Sequence, residues 1–450
     1  MTTTLATAPE GLTRLRLRQE ATRVLLTNWT GNSTVPSHTL YPHQWSWDSA
    51  FIAIGLRHLS PRRAQRELET LLGAQWADGR IPHIVFNPAV RPDAYFPGPD
   101  FWRSSTSGRA AGAPAWAETS GIVQPPVHAL AAALVHESDP ETSRRRGFLE
   151  RLYPRLTAWH DYLLHERDLT GRGLVCVVHP WEPGMDNSPC WDGPLHRIVP
   201  APGSSFSRVD LVHGEQAERP TDLDYGRYVR LAADYRDHGY QDTGTPHPFV
   251  VEDPGFNALL IASEHALADI AEALDRDPQQ HHERADALTE SLLRHLWQPE
   301  AGMFLCRDGH TDTVIEERSV TGLLPLIIPS LPSQVAAALQ HTARGPHFGL
   351  GSTTVLAPSY DLQGTAFDAY RYWRGPAWFN TNWLLERGLR HHGGQTHALR
   401  ERLLDAAGTS NFAEYVDPRT GQGRGTPHFS WTAAVVLDLL ARLQDGEEPR

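Results

Sequence analysis

The chain has 450 residues, 40% of them hydrophobic and 21% charged, with a net charge of −12. This is a globular composition, and a negative balance with scattered arginines and no basic run excludes a nucleic-acid-binding surface. Cys176, Cys190 and Cys306 are odd in number and show no CxxC spacing, which excludes a disulfide framework or a zinc site and leaves reduced cytosolic thiols as the expectation.

The first residues lack a basic stretch followed by an apolar one, and no window nears the roughly 18 apolar residues of a membrane span. A cytoplasmic protein with no membrane partner is expected; the sequence is compatible with a homo-oligomer. In chain order, apolar residues recur at helical spacing over Leu12–Trp29, Trp47–Leu59, Arg62–Trp76, Ile122–Glu137, Phe148–Glu166, Leu223–His238, Phe256–Ala273, His281–Trp297, Val320–His341, Ala377–His391, His397–Ala407 and Phe429–Leu443. Pro154 predicts a kink, and prolines at 325, 329 and 332 predict that their segment breaks into pieces. Strand-like alternation is scarce. Twelve helical segments amount to six hairpins, and no composition shift marks a second domain, so residues 1–450 read as one all-α barrel.

Four turns of similar make-up, Asp78-Gly-Arg, Asp168-Leu-Thr-Gly-Arg-Gly, Pro299-Glu-Ala-Gly and Asp417-Pro-Arg-Thr-Gly, read as helix ends and short connections at one end of that barrel. The long connections, 83–120, 169–222 and 344–374, would gather at the other end, where loops of this length are functional. Segments 83–120 and 169–222 together suggest a small cap over the barrel mouth.

The stretch His179–Asp192 concentrates three acids, two tryptophans, three prolines and a glycine, the makings of a rigid loop. Carboxylates bind sugar hydroxyls and indoles pack on sugar C–H faces, so the stretch suits a carbohydrate pocket. Glycoside cleavage needs one carboxyl to protonate the leaving oxygen and a second to activate water or attack the sugar. Asp186, among Trp181, Met185 and Trp191, is the candidate proton donor, since bulky apolar neighbours raise a carboxyl's pKa. Glu414, between Phe412 and Tyr415, is the second candidate. The plainer reading of any single acid is a surface charge or a helix cap.

Tyr41-Pro-His-Gln-Trp-Ser-Trp-Asp48 opens a helix and reads either as a cap with aromatic packing or as a sugar-binding rim, with Trp45 or Trp47 stacking and Asp48 bonding adjacent hydroxyls. Tyr370-Arg-Tyr-Trp-Arg-Gly-Pro-Ala-Trp378 repeats that composition before another helix. Arg227, between Tyr225 and Tyr228, follows a long loop and could fork onto an anionic substrate group. No HExxH, GxSxG, P-loop or dinucleotide fingerprint occurs, so neither a metal nor a cofactor is expected.

Six stretches, in order, carry a family resemblance: Tyr41–Phe51, Gln75–His83, Thr119–Pro126, Trp181–Pro189, Tyr372–Pro376 and Phe412–Pro418. Through them the chain resembles the bacterial mannosylglycerate and glucosylglycerate hydrolases of glycoside hydrolase family 63. The resemblance implies an (α/α)6 barrel and inverting hydrolysis of an α-glycosidic bond, with Asp186 as general acid and Glu414 as general base. Tyr41, Trp47, Asp48 and Gln124 would hold the sugar, with Tyr372, Trp373 and Arg374 at the pocket wall; Trp45 from the rim and Trp181 from the Asp186 loop are expected, from the residues themselves, to bind substrate as well. Arg227 would meet the glycerate carboxylate. Inversion implies carboxyls about 6.5–9.5 Å apart. A trehalase-like or oligosaccharide-directed α-glucosidase is the alternative enzyme, and a non-catalytic sugar-binding barrel the alternative class.

Overall fold

The computed structural model describes residues 10–211 and 216–444. Twelve helices of eleven residues or more run through them: α1 (Glu10–Thr27), α2 (Ser46–Leu56), α3 (Pro61–Gly73), α4 (His128–Ser138), α5 (Phe148–Glu166), α6 (Asp222–Asp237), α7 (Pro254–Ala273), α8 (Gln279–His295), α9 (Ser333–Arg344), α10 (Phe379–His391), α11 (His397–Thr409) and α12 (Ser430–Gln444). An inner ring closes on itself. In that ring α12 touches α2, α2 touches α4, α4 touches α7, α7 touches the turn Leu324–Ile327, and that turn touches α10, which returns to α12. Around it α1 packs on α12, α3 on α2 and α4, α5 on α4 and α7, α8 on α7, and α11 on α10 and α12. This is an (α/α)6 barrel.

Residue type decides the layer. Every position of α2 is buried, as suits a helix apolar on all sides. The outer helix α3 buries Ala64, Leu68, Leu71 and Leu72 on one stripe and turns arginines outward. One hydrophobic cluster runs from Ala21 to Leu440. No helix of the described residues is long and apolar enough to cross a membrane.

Several expectations shift. The sixth inner stave is not an α-helix: Val320–His341 resolves into two 3-10 turns, Val320–Gly322 and Leu324–Ile327, before α9 begins. Prolines 325, 329 and 332 remove helix donors there, and a Cβ on Gly322 would stand 2.0 Å from the Phe304 carbonyl oxygen. Pro125 and Pro126 likewise delay α4 to His128. Conversely, α5 continues through Pro154. Two of the four glycine turns are β-hairpins rather than helix ends. The first joins Trp297–Gln298 to Met303–Phe304, and the second joins Tyr415–Val416 to Gly423–Arg424.

Candidate active site

The N-terminal ends of α2, α4, α10 and α12 meet at one cavity. Its wall includes Tyr41, Trp45, Trp47, Asp48, Gln124, Trp181, Asp186, Tyr372, Trp373 and Glu414, and also His83, Tyr95, Gly184, Trp378, Phe429 and Trp431. Asp186 and Glu414, 228 positions apart in the chain, therefore face the same space.

The loop that carries Asp186 is clamped on both sides of it. Buried Glu182 accepts two hydrogen bonds from Arg167, each 2.9 Å, and one from the Val178 N–H at 2.7 Å. The Trp191 indole N–H donates to the Met185 carbonyl at 2.6 Å, and the Trp373 N–H donates to Asn187 Oδ1 at 2.8 Å. Gly184 adopts φ +70°, and a Cβ there would fall 2.4 Å from the Trp47 ring, so only glycine brings this loop against that indole. The carboxyl itself is left nearly free: among the described residues, the donor that faces it is its own backbone amide. Burial pushes Asp186 up to about 7, against the opposing pull of Arg219.

Glu414 is 1% exposed and held by its oxygens. Tyr41 and Tyr372 hydroxyls donate to Oε1 at 3.0 and 3.1 Å, the Thr426 N–H donates to Oε2 at 3.3 Å, and Arg219 Nη2 stands 3.9 Å from Oε2. Burial raises this carboxyl too, while Arg219 and the three hydrogen-bond donors act to lower it. Gly425 at φ +65° leaves room for the carboxylate, since a Cβ there would stand 2.5 Å from Oε2. Asn411 and Phe412 also have left-handed φ, +58° and +54°, so the turn that presents Glu414 is strained.

A third acid, Asp48, is 4% exposed, and burial together with Glu414 raises its carboxyl well above the usual range. The Trp47 N–H donates to Gln124 Oε1 at 3.1 Å, which ties the starts of two inner helices together. Trp373 stacks on Trp378 at 3.9 Å, and Trp378 on Tyr415 at 4.5 Å, so the aromatic wall is rigid.

Two expected residues stand elsewhere. Arg227 is the first: it pairs with Asp224 at 3.2 Å on α6 and is not on the cavity wall, because helical i, i+3 spacing supplies a local carboxylate. Arg374 is the second: it forks onto Asp192 at 2.9 and 2.6 Å and bonds the Asn187 carbonyl, so it braces the Asp186 loop from behind. The arginine that does reach the site is Arg219. It donates to the Tyr41 hydroxyl at 3.0 Å and lies 4.8 Å over the Tyr372 ring, with Nε and Nη2 buried and without a hydrogen-bond acceptor among the described residues. Its neighbour Glu218 accepts from the Tyr415 hydroxyl and the Gly425 N–H, which anchors this arginine to the Glu414 turn.

Residues 41–432 match the sequence model of the mannosylglycerate hydrolase MGH1-like glycoside hydrolase domain. The chain belongs to this glycoside hydrolase family. A mannosylglycerate hydrolase of Rubrobacter radiotolerans is 40% identical, the alignment covering 94% of this chain and 96% of that one. A glucosylglycerate hydrolase of Mycolicibacterium hassiacum is 37% identical over 95% and 98%. The crystal structure of a family 63 mannosylglycerate hydrolase from Thermus thermophilus in complex with Tris and D-glycerate superposes with a TM-score of 0.85 at 39% identity, covering 94% of this chain and 99% of that one. In this glycoside hydrolase the sequence reading missed Arg219, Tyr95, His83, Trp378 and Trp431. Trp378 ends a stretch that composition singles out and His83 ends one that carries the family resemblance, but Arg219 stands in an ordinary polar loop without a distinguishing signal.

Proposed function

We propose that the enzyme hydrolyses the α-glycosidic bond of glucosylglycerate or mannosylglycerate with inversion, releasing a β-sugar and glycerate. The carrying observation is the pair of carboxyls on one cavity, Asp186 half-buried and Glu414 buried, with opposite surroundings. Asp186, raised to about 7 and nearly free of partners, is suited to hold a proton and donate it to the glycosidic oxygen as the C–O bond breaks. Glu414, bonded by two phenols and an amide, is suited to stay ionised and take a proton from the water that attacks the anomeric carbon from the other face. Arg219, whose Nε and Nη2 lack a hydrogen-bond acceptor among the described residues, supplies the cation for the glycerate carboxylate. That arginine favours an anionic leaving group over the trehalase-like alternative.

Segments 83–120 and 169–222 contribute His83, Tyr95, Trp181 and Asp186 to the wall, and we read them as the cap over the barrel mouth. Three free, buried thiols suit a reducing compartment, which supports a cytoplasmic location. The test is a panel of glucosylglycerate, mannosylglycerate, their glycerol analogues and trehalose, with the product anomer followed by NMR. The β-sugar should form first, and from the glycerates fastest; initial α-sugar would overturn inversion, and preference for trehalose would overturn the substrate class.

A further inference from the structure

His83 is a cavity residue whose chemistry the acid–base pair leaves unused. It precedes the strand Ile84–Val85, which pairs with Gln44–Trp45, and its backbone is fixed on both sides. Its N–H donates to the Ile122 carbonyl at 2.8 Å, and its own carbonyl accepts from the Ser46 N–H at 3.0 Å. The imidazole is 5% exposed and lines the cavity. It lies nearly parallel to the Trp181 indole, with centroids 6.4 Å apart and planes 20° apart, and meets Trp45 edge-on at 6.4 Å and 88°. Aromatic packing thus sets the ring's position, while Nδ1 is buried without a hydrogen-bond partner among the described residues.

A buried polar atom left unpaired is costly, and the cost is relieved when a ligand supplies the partner. Burial, with a smaller contribution from His179, pushes the imidazole down to about 3, so it stays neutral at working pH. A neutral imidazole offers one N–H and one lone pair and carries no proton that could replace the one on Asp186. Flanked by indoles that suit sugar C–H faces, it is placed to read a hydroxyl.

We infer that His83 hydrogen-bonds a hydroxyl of the bound sugar and is a specificity-determining residue of the site. The inference rests on the glycosidase reading above. A site built to bond one hydroxyl discriminates strongly against a sugar that lacks or misplaces it, because its own polar group is then stranded.

The test is a double-mutant cycle between His83→Phe, which keeps a flat ring beside Trp181 but removes both nitrogens, and the four monodeoxy forms (2-, 3-, 4- and 6-deoxy) of the better glycerate substrate. On the parent substrate His83→Phe should lose about tenfold to a hundredfold in kcat/KM. One deoxy form should cost the wild type at least about fivefold more than it costs the variant, and His83→Gln should recover part of the loss. If every deoxy form costs both proteins the same factor, the inference is overturned, even when the variant is impaired, because a merely structural role gives that pattern. Should the wild type turn over no glycoside, the functional reading fails instead. The same cycle read by calorimetric binding of free glucose, mannose and their deoxy forms then decides His83 separately.

Discussion

At Asp186 the chain bonds the loop on both sides and leaves the carboxyl almost bare; at Glu414 it strains the backbone and bonds the carboxyl itself. Both groups are pushed upward by burial, so burial alone does not assign their roles. The difference lies in donors. Hydroxyl and amide donors stabilise a carboxylate, whereas a bare carboxyl in an apolar setting keeps its proton. The comparison teaches that one desolvated cavity prepares an acid and a base by distributing hydrogen bonds unequally.

The largest effects should come from removing either carboxyl. Asp186→Asn and Glu414→Ala are each expected to lower kcat by about 10²–10⁴-fold. Their rescue should differ: a dinitrophenyl leaving group, which needs little protonation, should restore the Asp186 variant. Added azide should restore the Glu414 variant and yield a β-glycosyl azide. The reverse pattern in product analysis would exchange the two roles.

Next in size is the arginine that faces both groups. Arg219→Met should raise KM for the glycerate substrate about tenfold to a hundredfold, with a much smaller change for the neutral glycerol analogue. Equal losses on both, in steady-state assays, would mean that Arg219 serves Glu414 alone.

A moderate effect is expected in the pH profile. Asp186 must hold its proton, so kcat/KM should fall as pH rises through about 7. Glu414 must be ionised, so the acidic limb should lie above the ordinary glutamate range. Arg219 lowers Asp186, and Arg219→Met should therefore move the alkaline limb to higher pH.

The smallest effect concerns stability. Asp186 has a folded pKa of about 7 against an ordinary 3.8, so the folded state binds its proton more tightly than the unfolded chain does. Stability is intact below about 4, is lost progressively as pH rises to about 7, and stays lost above that. Asp186→Asn should thus stabilise the protein by about 1–3 kcal/mol at pH 8, discounted for the carboxyl's access to the cavity, and by little at pH 4. Paired chemical denaturation curves at the two pH values read this directly.

Much of the barrel is legible in the sequence because helical periodicity and proline punctuation are local signals. Most expected helix bounds lie within a few residues of those observed, and the prolines at 325, 329 and 332 announce the broken stave. The hairpins at Pro299 and Asp417 escape a sequence reading because an acid followed by glycine suits a helix end and a β-turn equally. Arg227 attracts attention over Arg219 because two tyrosines stand nearby in sequence, but α6 turns it toward Asp224.

What the sequence determined by itself was the inventory: which segments are helices, which are rigid aromatic loops, and which acids sit among bulky apolar neighbours. These follow from the chain's nearest neighbours, where backbone geometry and side-chain size act directly. Only the tertiary structure decided that Asp186 and Glu414 share a cavity, that Tyr41 and Tyr372 bond one of them and not the other, and that Arg219 is the arginine beside both. Ring closure brings together the starts of inner helices hundreds of residues apart, and charge and hydrogen bonding depend on distance in space rather than along the chain.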